Sequence, residues 1–283
     1  MSNATDMEKT LVLGGTGKTG RRVVERLAAL GVPTRVGSRS GRPPFDWEDR
    51  STWAPVLEGV GSAYVSYYPD LAVPGASETV GSLAEMAVRS GVRRLVLLAG
   101  RGEPEAEQAE EAVRASGADL TIVRSTWFAQ NFSEDYIVDG VRNGEVALPA
   151  RDVPEPFVDA DDIADVAVAA LTDDRHIGQV YELTGPRLLT FADAVREISE
   201  ATGRDIRYVP VSLDDFAAAA YQDLPGEFIE LLTYLFGEVL DGRNAHLADG
   251  VQRALGRKPR DFSDYARDVA ATGAWDPGDS RAA

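Results

Sequence analysis

Apolar and polar positions change their period sharply over the first thirty residues. Thr10-Leu11-Val12-Leu13 is a short, nearly continuous apolar run that meets Gly14-Gly15-Thr16-Gly17-Lys18-Thr19-Gly20. Beyond it Val23, Val24, Leu27 and Leu30 recur at helical spacing between Arg21, Arg22, Glu25 and Arg26, which predicts strand, glycine turn, helix. Gly31 ends that helix, and 33–38 reads as a second strand. Apolar strands at 62–66, 94–98, 120–124 and 179–183 then alternate with helical patterns at 76–89, 103–115 and 161–172. Such alternation predicts an α/β fold, a Rossmann-type doubly wound parallel sheet with helices on both faces.

Two stretches depart from the alternation. Ser40-Gly41-Arg42-Pro43-Pro44 cannot be helical, because proline removes donors and holds the preceding residue extended, so a shortened third strand is expected at Phe45-Asp46-Trp47. After Gly185-Pro186 helices dominate, at 190–201, 212–223, 226–240 and 261–271, with one strand near 206–209. The division expected is a nucleotide-binding domain over 5–185 and a smaller, mostly helical substrate lobe over 186–275. Residues 132–158 are expected to join that lobe by crossing back over the sheet.

Composition narrows the partners and the chemistry. Twenty-nine basic against 46 acidic residues leave a net charge of −17, which disfavours a nucleic-acid partner. The absence of cysteine excludes disulfides and thiolate chemistry, and two histidines, His176 and His246, cannot build a multi-histidine metal cage; no metal site is expected. No run approaches the ~18 apolar residues of a membrane span, and residues 1–9 lack a secretory leader pattern, so a cytoplasmic protein is expected.

The glycine turn carries the strongest chemical signal. Gly15, Gly17 and Gly20 satisfy G-x-G-x-x-G at the first strand-to-helix junction, where the motif cradles a dinucleotide pyrophosphate. Gly14, Thr16, Gly17, Lys18 and Thr19 are the candidate contacts. A triphosphate loop is not expected, since Val12 stands where a Walker-type loop needs glycine. At the end of the second strand, Gly37-Ser38-Arg39-Ser40 has no acid to bind a ribose 2′-hydroxyl. Ser38 and Arg39 instead suit a 2′-phosphate, so NADP(H) is expected over NAD(H), the alternative being that Arg39 is a solvated loop residue.

These features together resemble the atypical short-chain dehydrogenase/reductase superfamily, and within it the NmrA-like family. The resemblance spans nearly all of 8–275. It rests on 14–20, on Ser116-Gly117 before Thr121-Ile122-Val123-Arg124, on Phe128 with Asn131, and on the runs 157–164 and 181–186. Phe45-Asp46-Trp47-Glu48-Asp49 with Thr52-Trp53 looks like the ergot-alkaloid dehydrogenase type. One departure stands out. The superfamily's usual Tyr-x-x-x-Lys proton donor is absent: none of the nine tyrosines has lysine four positions later, and Gly102 and Ala106 align with the two places.

Candidate site residues follow from the strand ends, outside which open α/β sheets bind ligands. Tyr67, Tyr68 and Pro69 are expected against the cofactor's nicotinamide side, or packed under the helix at 76–89. Asp46 and Trp47 would flank the adenine or form a surface turn. Arg101 would bind substrate or be exposed. Trp127, Phe128 and Asn131, with Ser125 and Thr126, would form a pocket floor, Trp127 alternatively being core. Phe157, Tyr136, Tyr221 and Phe228 would be pocket walls or core. The acidic run Glu103, Glu105, Glu107, Glu110 and Glu111 reads as a solvated face, or as a docking patch for a basic partner. His176 lies in a polar loop remote from the expected site, and His246 carries no assignment.

Hydride transfer without a tyrosine–lysine pair suits an imine or iminium, a quinone or an enone-like acceptor. The expected function is therefore an NADPH-dependent reductase of a small cyclic or aromatic substrate, with the helical lobe closing over it. The alternative is a non-catalytic NADP(H) sensor acting through protein contacts, as a homodimer or with a regulatory partner.

Overall fold

The computed structural model describes residues 8–220 and 224–277. Tyr221, and with it the end of the helix expected at 212–223, lies outside the described residues. Thr10–Leu13 forms its strand as the apolar run predicts: β1 (Lys9–Leu13) leads through the glycine turn into α1 (Lys18–Ala29). Then follow β2 (Thr34–Gly37), a 3₁₀ turn and α2 (Trp53–Leu57), β3 (Val60–Val65), α3 (Ala76–Arg89), β4 (Arg94–Gly100), α4 (Pro104–Arg114) and β5 (Asp119–Ser125). Two short helices, α5 (Asn131–Glu134) and α6 (Val138–Asn143), precede β6 (Glu145–Leu148), α7 (Ala160–Thr172) and β7 (Val180–Leu183). The chain continues through α8 (Phe191–Thr202), β8 (Arg207–Pro210), α9 (Leu213–Ala220), α10 (Gly226–Tyr234), a π-helical turn at Leu235–Val239, α11 (Gly250–Leu255) and α12 (Phe262–Ala271).

The main sheet has the order β2-β1-β3-β4-β5-β7. Pairings from β2 to β5 are parallel. At the β7 edge, Ile122 N–H donates to the Gln179 carbonyl and Thr126 N–H to that of Leu183, the same advance on both strands and hence a parallel direction. Both faces are buried, as a parallel sheet requires. Leu11, Leu13, Ala63, Val65, Leu95 and Leu97 pack on one side with Val80, Leu83 and Ala84 of α3 and Val113 of α4. Val12, Tyr64, Val96 and Val123, at the alternate positions, are buried on the other. There Arg26 of α1 reaches Asp161 (2.8 Å) and Asp165 (2.5 Å) of α7.

The shortened third strand expected at Phe45-Asp46-Trp47 does not form, and β2 is the sheet edge. The two prolines leave no run of donors before it, and the backbone turns back instead: Gly41 and Phe45 N–H both donate to the Ser38 carbonyl at 2.9 Å. Asp46 is then held by the Trp53 indole, whose Nε1–H donates to its carbonyl at 2.8 Å.

Contacts divide the chain into two units. The first runs to Ser125 and takes in Asp161–Glu182 and Gly250–Gly256; the second holds Thr126–Ala160, Leu183–Asp249 and the described residues from Arg257 onward. In this division 132–158 lies in the second unit and the later boundary falls after Glu182. Residues 126–131 and 159–160 group with the second unit. The 250–256 segment, expected in the helical lobe, groups with the first, where Arg253 lies 5.3 Å over the Tyr181 ring.

Within the second unit, β6 and β8 pair in parallel, a small sheet of which only β8 was expected. Helix α8 begins at a capping box, Thr190 Oγ1 accepting from Asp193 N–H at 3.0 Å while the Asp193 carboxylate accepts from Thr190 N–H at 3.0 Å. Its core is aromatic: Phe132, Phe157, Phe191, Phe262, Tyr265 and Trp275 interlock largely edge to face, and the Trp275 indole donates to the Phe132 carbonyl at 2.7 Å.

Candidate functional site

The glycine turn is built by two close approaches. Gly14 lies at φ +67°, a left-handed conformation that suits glycine, and its carbonyl accepts the Gly17 N–H at 2.9 Å. A β-carbon at Gly20 would run into that same Gly14 carbonyl, so α1 can start hard against the end of β1 only with glycine there. The helix is capped by Gly17 with no side-chain cap, and no acid occupies its first turn. A helix end of this kind, with no acid of its own in the first turn, favours an anion. Thr16 and Gly17 are exposed and Lys18 is half-buried. Thr19 turns inward instead: its Oγ1 accepts from the Tyr64 hydroxyl at 3.0 Å, and burial raises that phenol above its ordinary pKa. Ser66, which the pattern did not single out, abuts the turn, with its Cβ 3.3 Å from where a Gly14 β-carbon would sit.

At the end of β2, Ser38 is half-buried and Arg39 exposed. Arg39 and its neighbour Arg42 are exposed and make no ion pair or side-chain hydrogen bond among the described residues. The Asp46 carboxylate is turned to its own loop, accepting the Glu48 N–H at 3.1 Å. Trp47 packs edge-on to Phe45 (4.9 Å between centroids) and against Tyr67 (4.8 Å). Tyr67 also packs on the core beside α3, and burial pushes its phenol pKa up. Of the adjoining tyrosines it therefore takes the packing alternative, whereas Tyr68 is 71% exposed beside half-buried Pro69.

Arg101, after β4, is not an exposed arginine. It is 4% exposed, and its Nε donates to Glu182 of β7 at 3.2 Å. Nor is α4 simply a solvated acidic face. Arg124 grips Glu110 through two hydrogen bonds of 2.7 Å, which with the nearby Glu107 and Glu182 raises the guanidinium pKa further. Glu103 is buried as well, 7% exposed. Burial first, then the Asp70 charge, pushes Glu103 well above the usual carboxylate range. Only Glu107 and Glu111 of the run are exposed. Helical phase was the signal available: positions 103, 106, 110 and 113 share one stripe, and Ala106 and Val113 mark it as inward.

The second unit holds the remaining candidates. Trp127 is half-buried and lies against Phe236 (4.8 Å) and Phe191 (5.3 Å). Phe128 forms a parallel bridge with Val158, and half-buried Asn131 donates its N–H to the Phe128 carbonyl at 3.1 Å. Phe157, 3% exposed among Phe132, Phe191 and Phe262, is core rather than wall. Tyr136 stacks edge-on to Phe228 at 6.0 Å. Its hydroxyl is buried without a hydrogen-bond partner among the described residues, and burial raises its pKa well above the ordinary value.

His176 is a buried structural residue of the first unit. Its Nε2 accepts from the Arg175 guanidinium at 3.1 Å, which leaves Nδ1–H for the Tyr181 hydroxyl at 2.8 Å; burial, then Arg175, lowers its pKa. His246 is exposed. Among the described residues no group of three or more acidic or histidine side chains is placed to hold a metal ion, and no helix is long and apolar enough to cross a membrane.

The chain is similar over most of its length to characterised proteins. Festuclavine dehydrogenase of Aspergillus fumigatus is 30% identical across 92% of this chain and 97% of its own. The (4-alkanoyl-5-oxo-2,5-dihydrofuran-3-yl)methyl phosphate reductase of Streptomyces griseus is 31% identical, with 92% and 97% covered. Among solved structures, an NADPH-dependent quinone oxidoreductase of Escherichia coli in complex with NADPH superimposes with a TM-score of 0.74, over 92% of this chain and 99% of that one, at 20% identity. The sequence model of the NmrA-like family matches residues 106–266, and with these full-length likenesses the chain belongs to that family.

Proposed function

We propose that the protein is an NADPH-dependent reductase that delivers hydride to a small cyclic or aromatic electrophile of the imine, quinone or enone class. The observation that carries this reading is the pairing of an anion seat with an uncommitted guanidinium. The Gly14–Gly20 turn opens onto an α1 N-terminus free of acids, and Arg39 stands exposed beside Ser38 at the end of the adjoining strand. Pyrophosphate fits the first and a ribose 2′-phosphate the second. When bound, the nicotinamide would supply hydride. The chain's part is to seat the phosphates and to orient the acceptor. The names of the two relatives, a dehydrogenase of an ergot-type alkaloid and a reductase of an oxo-dihydrofuran, support the same class of chemistry.

NADPH consumption measured against a panel of quinones, cyclic imines and enones tests the reading. Turnover of at least one class is expected. Tight NADPH binding with no turnover anywhere on the panel would replace the reductase with a cofactor sensor.

A further inference from the structure

Histidine is the side chain that ordinarily titrates near neutrality, and of the two in this chain His176 is buried and His246 exposed. The His176 ring is held at both nitrogens. Its Nε2 lies 3.1 Å from Arg175 Nε, which can only donate, so Nε2 keeps its lone pair. The ring is therefore neutral, with its proton on Nδ1, 2.8 Å from the Tyr181 hydroxyl. A second proton would set N–H against N–H at Arg175. The charged groups around the ring are Asp173, Asp174 and Arg175 of its own turn, Arg94 of β4, and Arg253 of α11, which lies over the Tyr181 ring. Both carboxylates already serve an arginine: Asp173 lies 3.2 Å from Arg175 Nε, and Asp174 bonds Arg94. An imidazolium in this buried place would face two guanidiniums whose counter-charges are shared.

The same turn joins the outer strand to the sheet. The His176 carbonyl accepts from the buried Thr121 hydroxyl of β5 at 2.7 Å. Gly178 N–H donates to the Leu120 carbonyl at 2.8 Å, and Ile122 N–H to the Gln179 carbonyl at 3.0 Å. Arg253 ties α11 to this edge, donating to Gln179 Oε1 at 3.2 Å. β7 stands last in the strand order, and near its end Glu182 is the carboxylate that Arg101 and Arg124 share, at 3.2 and 3.5 Å.

We propose that His176 is an acid-sensitive latch: when its ring takes a proton from solvent it breaks from Arg175, and the 173–178 turn, β7 and α11 loosen together while the inner strands hold. With β7 goes Glu182, so acid also parts Arg101 and Arg124 from their shared carboxylate. The latch stands apart from the reductase reading, because it needs neither cofactor nor acceptor. The native state holds fewer protons at this ring than the unfolded chain does. Its contribution to stability is therefore full above the ordinary histidine pKa and is lost as pH falls through that value.

Imidazole nitrogen NMR of the full chain, with His246→Asn to assign the two rings, tests the first step. At neutral pH the His176 ring should carry its proton on Nδ1 alone. Hydrogen exchange, corrected for the intrinsic effect of pH, tests the second. Between about pH 7.5 and about pH 5, protection at Gly178, Ile122 and the 250–256 segment should fall at least about tenfold, with the amides of β1 and β3 unchanged. His176→Gln still offers Arg175 an acceptor but cannot take the proton, and it should keep that protection constant over the same range. A neutral ring protonated on Nε2, protection that does not change with pH or falls equally in every strand, or a pH dependence that survives His176→Gln overturns the proposal. If the variant does not fold, the wild-type ring state and exchange pattern decide alone.

Discussion

At the end of β2 the Arg39 guanidinium has no partner among the described residues, so a ligand phosphate would meet it without first breaking an ion pair there. Removing one charge-assisted hydrogen bond costs about 1.5–3 kcal/mol, and Arg39→Ala should weaken NADPH binding by roughly 10- to 100-fold while leaving NADH nearly unchanged. Glu110 is a contrasting case, because its charge is already spent. Breaking a buried pair from one side costs ~3–5 kcal/mol, but Arg124 keeps Glu107 and Glu182 within reach, so Glu110→Ala should destabilise by about 2 kcal/mol in denaturant unfolding. Glu103 leaves a signature in the pH dependence of stability. Its folded pKa lies above its unfolded one, so the native state holds the extra proton, and stability is lost as pH rises above the ordinary carboxylate range. Glu103→Gln should therefore gain stability relative to wild type as pH rises above the ordinary carboxylate range; a difference that does not change with pH would contradict the raised carboxyl.

Strands and helices whose pattern is local were legible in the chain, and those that depend on distant partners were not. The β1–turn–α1 unit needs only one apolar run, its glycines and a helical stripe, and it appears where the spacing predicts. The third strand fails because its pairing would need donors that Pro43 and Pro44 cannot supply, and Phe45 is buried instead as a core side chain. β6 went unseen because four residues alternating Glu-Val-Ala-Leu carry no signal until β8, sixty residues later, pairs with them. The same limit applies within the site. The glycine turn and Arg39 could be named from sequence, whereas Arg101 meets Glu182 only once β4 and β7 share one sheet. At the element scale the turn itself is the point to probe. Gly20→Ala would push α1 off β1, destabilise by about 1–3 kcal/mol, and lower dinucleotide affinity at least tenfold. Retained affinity in a folded Gly20→Ala protein would show that the cofactor does not rest on this turn.

For the whole molecule, the net charge of −17 bears on which ligands can approach, because the proposed NADPH is a tetra-anion and would have to reach an acidic protein. The exposed guanidiniums of Arg39 and Arg42 and the positive end of α1 would offset that charge locally under the proposed function. Binding there should stabilise the native chain by about 2.7 kcal/mol at a hundredfold excess of NADPH over its Kd, raising the unfolding midpoint by several degrees, with a smaller shift from NADH. The central claim, that this fold seats NADP(H) through the glycine turn and Arg39, is tested most directly by calorimetric titration of the wild type and Arg39→Ala with each cofactor. The account predicts tighter binding of NADPH than NADH by the wild type, and loss of that preference in the variant. Equal affinities in the wild type, or a preference that survives Arg39→Ala, would contradict it.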